Sequence, residues 1–322
     1  MKNNMFTNNK NDYEQVSCPV CGEKKFSPIS KEIRFGGESQ VVICLVCGLV
    51  QLNPRWKAEK YRVYYETQYH KDYPEKSGDS LRKIKIIVFR LRKNGFLAQK
   101  PQKILEVGAA TGDSLEYLRE KLYPEASYFA IEPSLSCQKE LGGKNIKLVA
   151  NSLEEIDTEK YKGNFDLIIM RHVAEHFMQP VLNMKKIAAL LSPKGLLYIA
   201  VPNAMNPTHP IKNNHFRNVH TYYYNKYSFD NILKISGLEA KQVIEGDKFL
   251  ISELVFFIQS SEGKKEPIFN LDIIEKQKKI YNERLSKEKK FTTKLIYFAK
   301  RVFTHCYSQI LIKLTAFEKI IK

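Results

Sequence analysis

Ile104-Leu105-Glu106-Val107-Gly108-Ala109-Ala110-Thr111-Gly112-Asp113 reads as a short apolar strand that bends through a glycine-bearing turn and opens a helix. Glycine lacks a Cβ, so Gly108 and Gly112 let the chain turn tightly and come close to a ligand. The lysine of a phosphate-binding P-loop is missing, so a triphosphate is not expected. About 20 residues further on, the distance at which a ribose-binding acid follows such a turn, Ala130-Ile131-Glu132-Pro133-Ser134 ends the next strand with a carboxylate. Glu132 can accept hydrogen bonds from both ribose hydroxyls of an adenosine, while Glu106 puts negative charge beside the turn. A ligand with a ribose and a positive charge suits that pair better than a phosphate.

Short apolar strands alternate with helices on either side of this turn, the pattern of an α/β, doubly wound, mostly parallel sheet. Strands are expected at Ile104–Val107, Tyr128–Ile131, Lys147–Ala150, Leu167–Met170 and Leu196–Val201, with Leu238–Val243 and Leu254–Gln259 as an antiparallel closing pair. Helices are expected at Asp113–Leu122, Leu135–Leu141 and Val181–Leu191, the last stopped by Ser192-Pro193-Lys194-Gly195, and Ser228 starts another through Ile235. Ligands of such sheets lie across the carboxyl ends of the strands.

The chain has 322 residues, more than one average domain, and is 43% hydrophobic, which excludes disorder. No leader-like or membrane-spanning apolar run is present, so a cytoplasmic protein is expected. The net charge of +17 is unevenly spread: residues 101–258 hold 18 basic and 18 acidic side chains, and both ends are basic. Lys outnumbers Arg 41 to 11. Arg is the residue that reads phosphates and base edges, so a diffuse anionic surface or plain composition fits better than specific nucleic-acid recognition.

Six cysteines occur, and four form Cys18-Pro-Val-Cys21-Gly and Cys44-Leu-Val-Cys47-Gly, separated by 22 residues that include a Gly36-Gly37 turn. Two C-x2-C knuckles complete an S4 shell, so Cys18, Cys21, Cys44 and Cys47 are expected to hold a structural Zn2+ in a ribbon. Cys137 and Cys306 read as core thiols. Downstream come a run of five tyrosines from Tyr61 to Tyr73 and a basic amphipathic helix, Leu81–Leu97. The expected organisation is a ribbon (1–57), a helical linker or lid (58–100), a Rossmann-like domain (101–262) and a basic helical tail (263–322).

In order, Glu106-Val107-Gly108-Ala109-Ala110-Thr111-Gly112, Ile131-Glu132-Pro133-Ser134, Asn151-Ser152-Leu153-Glu154-Glu155, Phe165-Asp166-Leu167-Ile168-Ile169-Met170-Arg171-His172-Val173-Ala174-Glu175-His176, Leu191-Ser192-Pro193-Lys194-Gly195 and Val201-Pro202-Asn203 resemble the class I S-adenosylmethionine-dependent methyltransferases. Within that class the chain is most similar to the small-molecule and sugar branch that carries an N-terminal zinc ribbon. The resemblance spans residue 103 to about 258, and it implies S-adenosylmethionine as cofactor. It places Gly108, Ala109 and Gly112 along the methionine part, Glu106 and Asp113 near the ammonium end, Glu132 at the ribose and Ser152 with Leu153 at the adenine. Arg171 and His172 would close the fourth-strand side. Ala110 stands where a third glycine is usual, a sterically mild departure that puts a methyl against the cofactor.

Methyl transfer needs positioning and, for a hydroxyl or a carbon beside a ketone, a base. His176 is the favoured base because imidazole titrates near neutrality and the family's Glu-His pair, here Glu175-His176, follows the fourth strand. The competing reading is that the pair merely caps the next helix. His209, His215, His220, Tyr222, Tyr223 and Tyr224 fall in a long insertion, read as a substrate lid in which His220 and Tyr222 bind acceptor hydroxyls. The acceptor is expected to be a small molecule or glycan: a sugar nucleotide, polysaccharide or glycolipid. The alternatives are an RNA methyltransferase, not favoured because the Asn/Asp-Pro-Pro-Tyr of base N-methylation is absent, and a non-catalytic ribbon adaptor. The stripe Leu295, Ala299, Val302, Cys306, Ile310, Leu314, Phe317 and Ile321 has three readings: packing on the protein's own core, an oligomer seam, or peripheral contact with the inner membrane face.

Overall fold

The computed structural model describes residues 9–34, 37–73, 79–97, 100–207, 211, 215–247, 252–263 and 265–288. Gly36 of the expected ribbon turn, His209, Cys306 and the stripe from Leu295 onward lie outside the described residues.

In chain order the strands and helices are β1 (Tyr13–Glu14), β2 (Phe26–Ser30), β3 (Val41–Cys44), β4 (Val50–Leu52), β5 (Arg55–Trp56), α1 (Ala58–Thr67), α2 (Tyr69–Asp72) and α3 (Asp79–Lys93). There follow β6 (Lys103–Val107), α4 (Asp113–Lys121), β7 (Ser127–Ile131), α5 (Leu135–Gly143), β8 (Lys147–Ala150), β9 (Phe165–Arg171), α6 (Pro180–Leu190) and β10 (Leu191–Pro202). The last are β11 (Tyr222–Tyr223), α7 (Lys226–Ile235), β12 (Leu238–Glu245), β13 (Glu253–Ser260) and α8 (Leu271–Lys287).

Seven strands form one sheet in the order β12-β13-β10-β9-β6-β7-β8. All neighbours from β10 to β8 are parallel, and β13 is antiparallel to both β10 and β12. The fold is the α/β Rossmann-like architecture that the strand-helix alternation implies. Strand order reverses at β6, since β7 and β8 lie on one side and β9 and β10 on the other, so the crevice opens between the tips of β6 and β9. Parallel strands are covered on both faces. On one face Ile104, Ile169 and Tyr198 pack with Ile84, Ile87, Val88 and Leu91 of α3 and with Leu115 and Leu118 of α4. On the other, Leu105, Ile168 and Ile199 pack with α6 and α7. The basic helix α3 therefore lays its apolar stripe on the sheet. α7 opens with a capping box, in which Asn225 Oδ1 accepts from Ser228 N at 2.8 Å and Ser228 Oγ accepts from Asn225 N at 3.1 Å.

Leu191 to Gly195 joins β10 through a register shift instead of forming a separate turn after α6. A four-stranded sheet, β11-β4-β3-β2, carries the N-terminal cysteines. Its edge strand β11 comes from the 203–225 insertion, so this sheet draws on two distant parts of the chain. Cys18, Cys44 and Cys47 belong to the same apolar cluster as the α6–α7 face of the large sheet. No described helix is long and apolar enough to cross a membrane.

Candidate active site

The tips of β6, β7, β8 and β9 border a cleft of about 800 Å³. Gly108 lies in the left-handed region (φ 74°), and a Cβ there would come within 2.6 Å of Val173 Cγ2, so only glycine fits between the turn and the loop after β9. Ala110 also takes a positive φ, 47°. Its N–H donates to Glu132 Oε2 at 2.8 Å, and Ser134 N–H donates to Glu132 Oε1 at 2.9 Å. Glu132 is thus buried and fixed by backbone donors while it lines the cleft. Asn151, Ser152, Leu153, Arg171 and His172 also line the cleft.

The opposite half is built by the turn Ala174–His176, the insertion and α1–α2. His176 Nδ1 lies 2.8 Å from the Val219 carbonyl and 2.8 Å from the Tyr65 hydroxyl, which itself donates to Val219 O. Burial pushes the His176 imidazole below its usual range and His220 further below, with neighbouring cationic groups adding to the effect on His220. Their rings meet edge to face at 4.8 Å. Thr221 Oγ1 reaches the carbonyls of Glu175 (2.9 Å) and Phe177 (2.7 Å), tying the turn to the insertion.

Behind this half runs a buried charge network. Arg90 donates to Glu253 (2.6 Å), Asp247 and the Tyr198 hydroxyl; Glu253 also meets Arg171 (3.0 Å) and His172 Nε2 (2.9 Å). His172 Nδ1 lies 3.2 Å from Glu175 Oε1. Burial opposes charge on His172 and Glu253. The carboxylates around His172 nevertheless raise its pKa, and Arg171 with Arg90 hold Glu253 well below the carboxylate range.

Several expected site residues stand elsewhere. Tyr222 is not on the cleft wall: its hydroxyl accepts from Arg55 Nη1 at 3.0 Å and lies 3.3 Å from the Met178 carbonyl, and Tyr223 lines the cleft instead. Successive residues of a strand face opposite ways, and β11 turns Tyr222 into the core beside Tyr224. Asp113 starts α4 and pairs with Lys144 away from the cleft lining. Ala109 packs into the core cluster beneath the turn, Gly112 caps α4, and Glu106 is buried; none of them is among the lining residues. Glu175, His176 and His220 do converge on the cleft.

A lid was expected at 58–100, but the tyrosines of this roof were not singled out as site residues. Tyr61, Tyr65, Tyr69 and Tyr73 all line the cleft from α1, α2 and the end of α2, and their spacing of four residues is the signal that could have found them. Arg217 and Glu253 carried no comparable signal.

At the N-terminal end, the Sγ atoms of Cys18, Cys21, Cys44 and Cys47 lie within 4.8 Å of one another, with Cys18–Cys47 at 3.3 Å and Cys21–Cys44 at 3.5 Å. Tetrahedral sulfurs bound to zinc at about 2.3 Å would stand about 3.8 Å apart, so the four thiols are compatible with that ion.

Comparison with known proteins bears on this cleft. Residues 81–243 match the family described as methyltransferase domain. The chain belongs to the class I S-adenosylmethionine-dependent methyltransferases. No curated protein matches it. Among solved structures, the methyltransferase resembles 1,6-didemethyltoxoflavin-N1-methyltransferase of Burkholderia thailandensis, bound to 1,6-didemethyltoxoflavin and S-adenosylhomocysteine, with a TM-score of 0.47, 15% identity and coverage of 74% of this chain and 100% of that one. A SAM-dependent methyltransferase from Aquifex aeolicus gives 0.45, 17%, 58% and 95%. Mitomycin 7-O-methyltransferase gives 0.44 and 13%; the match covers 57% of this methyltransferase and 55% of that enzyme.

Proposed function

We propose that this methyltransferase acts on a small-molecule or glycan acceptor held under the tyrosine roof, with His176 as the base that removes the acceptor's proton. The observation that carries the reading is the contact of His176 Nδ1 with the Val219 carbonyl at 2.8 Å. A carbonyl only accepts, so Nδ1 keeps its hydrogen and Nε2 presents the lone pair. Glu132 would hold the ribose, Gly108 and Ala110 the methionine side, and Ser152 with Leu153 the adenine. Bound S-adenosylmethionine supplies a methyl group on a sulfonium. The acceptor hydroxyl, or a carbon beside a ketone, gives its proton to His176 Nε2 as its electron pair takes the methyl, leaving a thioether. Tyr65 and Val219 fix the ring's position.

We further propose that the four cysteines hold a structural Zn2+, since all four positions of the shell are protein thiolates and none is left for chemistry.

The test follows labelled methyl transfer into nucleotide-sugar, glycolipid and RNA fractions. Label is expected in one of the first two. His176→Ala should lower turnover by about 10²–10⁴, the contribution of a positioned base, while S-adenosylhomocysteine binds as before. Full activity in that variant removes the base assignment; label confined to RNA removes the acceptor class.

A further inference from the structure

Beyond methyl transfer, the acceptor half of the cleft holds a second group of metal-ligating side chains. A carboxylate oxygen of Glu175 and one ring nitrogen each of His176 and His220 lie within 4.8 Å of one another. Three points no more than 4.8 Å apart fit inside a circle of about 2.8 Å radius, and bonds from zinc to nitrogen or carboxylate oxygen are about 2.0–2.2 Å. The side chains therefore need to close by less than about an ångström to share one ion.

Three features make this more than a chance cluster. Glu175 is 1% exposed, and its Oε2 has no hydrogen-bond partner. A buried carboxylate oxygen without a donor is costly, and a cation satisfies it. The other oxygen, Oε1, is held by His172 Nδ1 at 3.2 Å, and His176 Nδ1 is held by the Val219 carbonyl. Such outer contacts are what orient metal ligands, leaving Oε2 and His176 Nε2 for the ion. The ligands are also clamped together: Val219 precedes His220 in the chain, and Thr221 Oγ1 bonds the carbonyl of Glu175.

We propose that Glu175, His176 and His220 bind a divalent transition-metal ion of the Zn2+ type, distinct from the ion of the four cysteines. Two imidazoles and one carboxylate on one side leave the remaining positions open to the cleft. The bound ion occupies His176 Nε2, so it blocks proton removal and inhibits methyl transfer. Binding stands apart from the function proposed above, whereas inhibition rests on His176 being the base.

Equilibrium dialysis of the full chain against Zn2+, with metal quantified per protein, tests the binding. Two equivalents are expected for the parent protein and one for Glu175→Gln and for His220→Ala, each shown to be folded by its affinity for S-adenosylhomocysteine. Co2+ loaded second should add ligand-field bands without thiolate charge transfer. One equivalent in the parent, or two in both variants, overturns the site. The second equivalent of Zn2+ should reduce methyl transfer at least tenfold, reversed by a mild chelator. Two bound equivalents with turnover undiminished overturn the inhibition. A parent protein that binds two ions while His176→Ala keeps full turnover would instead refute the base and leave the metal site standing.

Discussion

Removing the Glu132 carboxylate separates its structural from its binding role. In Glu132→Ala the N–H groups of Ala110 and Ser134 lose acceptors at 2.8 and 2.9 Å. Each donor left without a partner costs about 1–3 kcal/mol, so destabilisation should be about 3 kcal/mol. At about 2–4 °C per kcal/mol for a domain of this size, Tm falls by about 6–12 °C. The cofactor loses its ribose acceptors as well, and its Kd should rise more than about tenfold, equivalent to about 1.4 kcal/mol. Glu132→Gln is the sharper variant. Its amide oxygen still satisfies one N–H, but its NH2 faces the other donor, so it should stay folded with a smaller fall in Tm. Calorimetric titration with S-adenosylhomocysteine at a temperature where both variants are folded provides the readout. Unchanged affinity in the folded Gln variant would refute the ribose assignment and reduce Glu132 to a brace for the turn.

Ala110→Gly should raise Tm by a few degrees, because a left-handed alanine costs about 1–2 kcal/mol and glycine's extra unfolded-state entropy offsets only part of it; a fall in Tm contradicts the strain. Arg90→Met removes one of the two arginines that neutralise Glu253 and should destabilise by about 3–5 kcal/mol, read from urea midpoints. Glu253 is held well below its ordinary 4.5. Its unfolded form therefore takes up protons first on acidification, and its contribution, complete above about pH 4.5, is lost as pH falls through the folded pKa. Glu253→Gln should flatten that acid limb, and an identical limb in the variant contradicts the assignment. Chelation of the Zn2+ proposed for the four cysteines should lower Tm of the whole chain in one transition, since Cys18, Cys44 and Cys47 share the α6–α7 core; a separate early transition that leaves the main one unmoved would show an independent module.

The strand-tip half of the cleft was partly legible because its residues are local: Gly108, Glu132, Ser152, Leu153, Arg171 and His172 line it, whereas Glu106, Ala109, Gly112 and Asp113, expected beside them, do not. The β6 turn, Glu132 and the loop after β9 each follow a strand, and parallel strands deliver their tips to one edge whatever lies between. The acceptor half was only partly legible. Glu175 and His176 sit in such a loop, and His220 announced itself by falling in a long insertion. Tyr222 and Tyr223 could not be told apart, because which face of β11 meets the core depends on its pairing with the distant β4, through Tyr222↔Gln51 and Tyr223↔Val50. Glu253 gives no sign in the sequence. Its role arises from β13 lying between β12 and β10 and presenting it to Arg90, which reads as one more surface charge of a basic helix yet is 1% exposed.

That pairing of β4 with β11 also explains why the N-terminal sheet matters to a cleft that it lines only through Tyr223 of β11. Leu52 N–H donates to Thr221 O at 3.0 Å, extending the β4–β11 ladder by one bond. Thr221 then grips the carbonyls of Glu175 and Phe177, while Tyr61 and Tyr65 of the roof donate to the carbonyls of Asn218 and Val219. Roof, insertion and His176 turn are therefore held by one short segment, residues 218–221, whose own backbone is fixed by the cysteine-bearing sheet. The cofactor loops are fixed separately by β6, β7 and β8. A disturbance of the cysteine knuckles should thus reach the geometry around His176 through β4 and β11 while the contacts of Glu132 stay as they are.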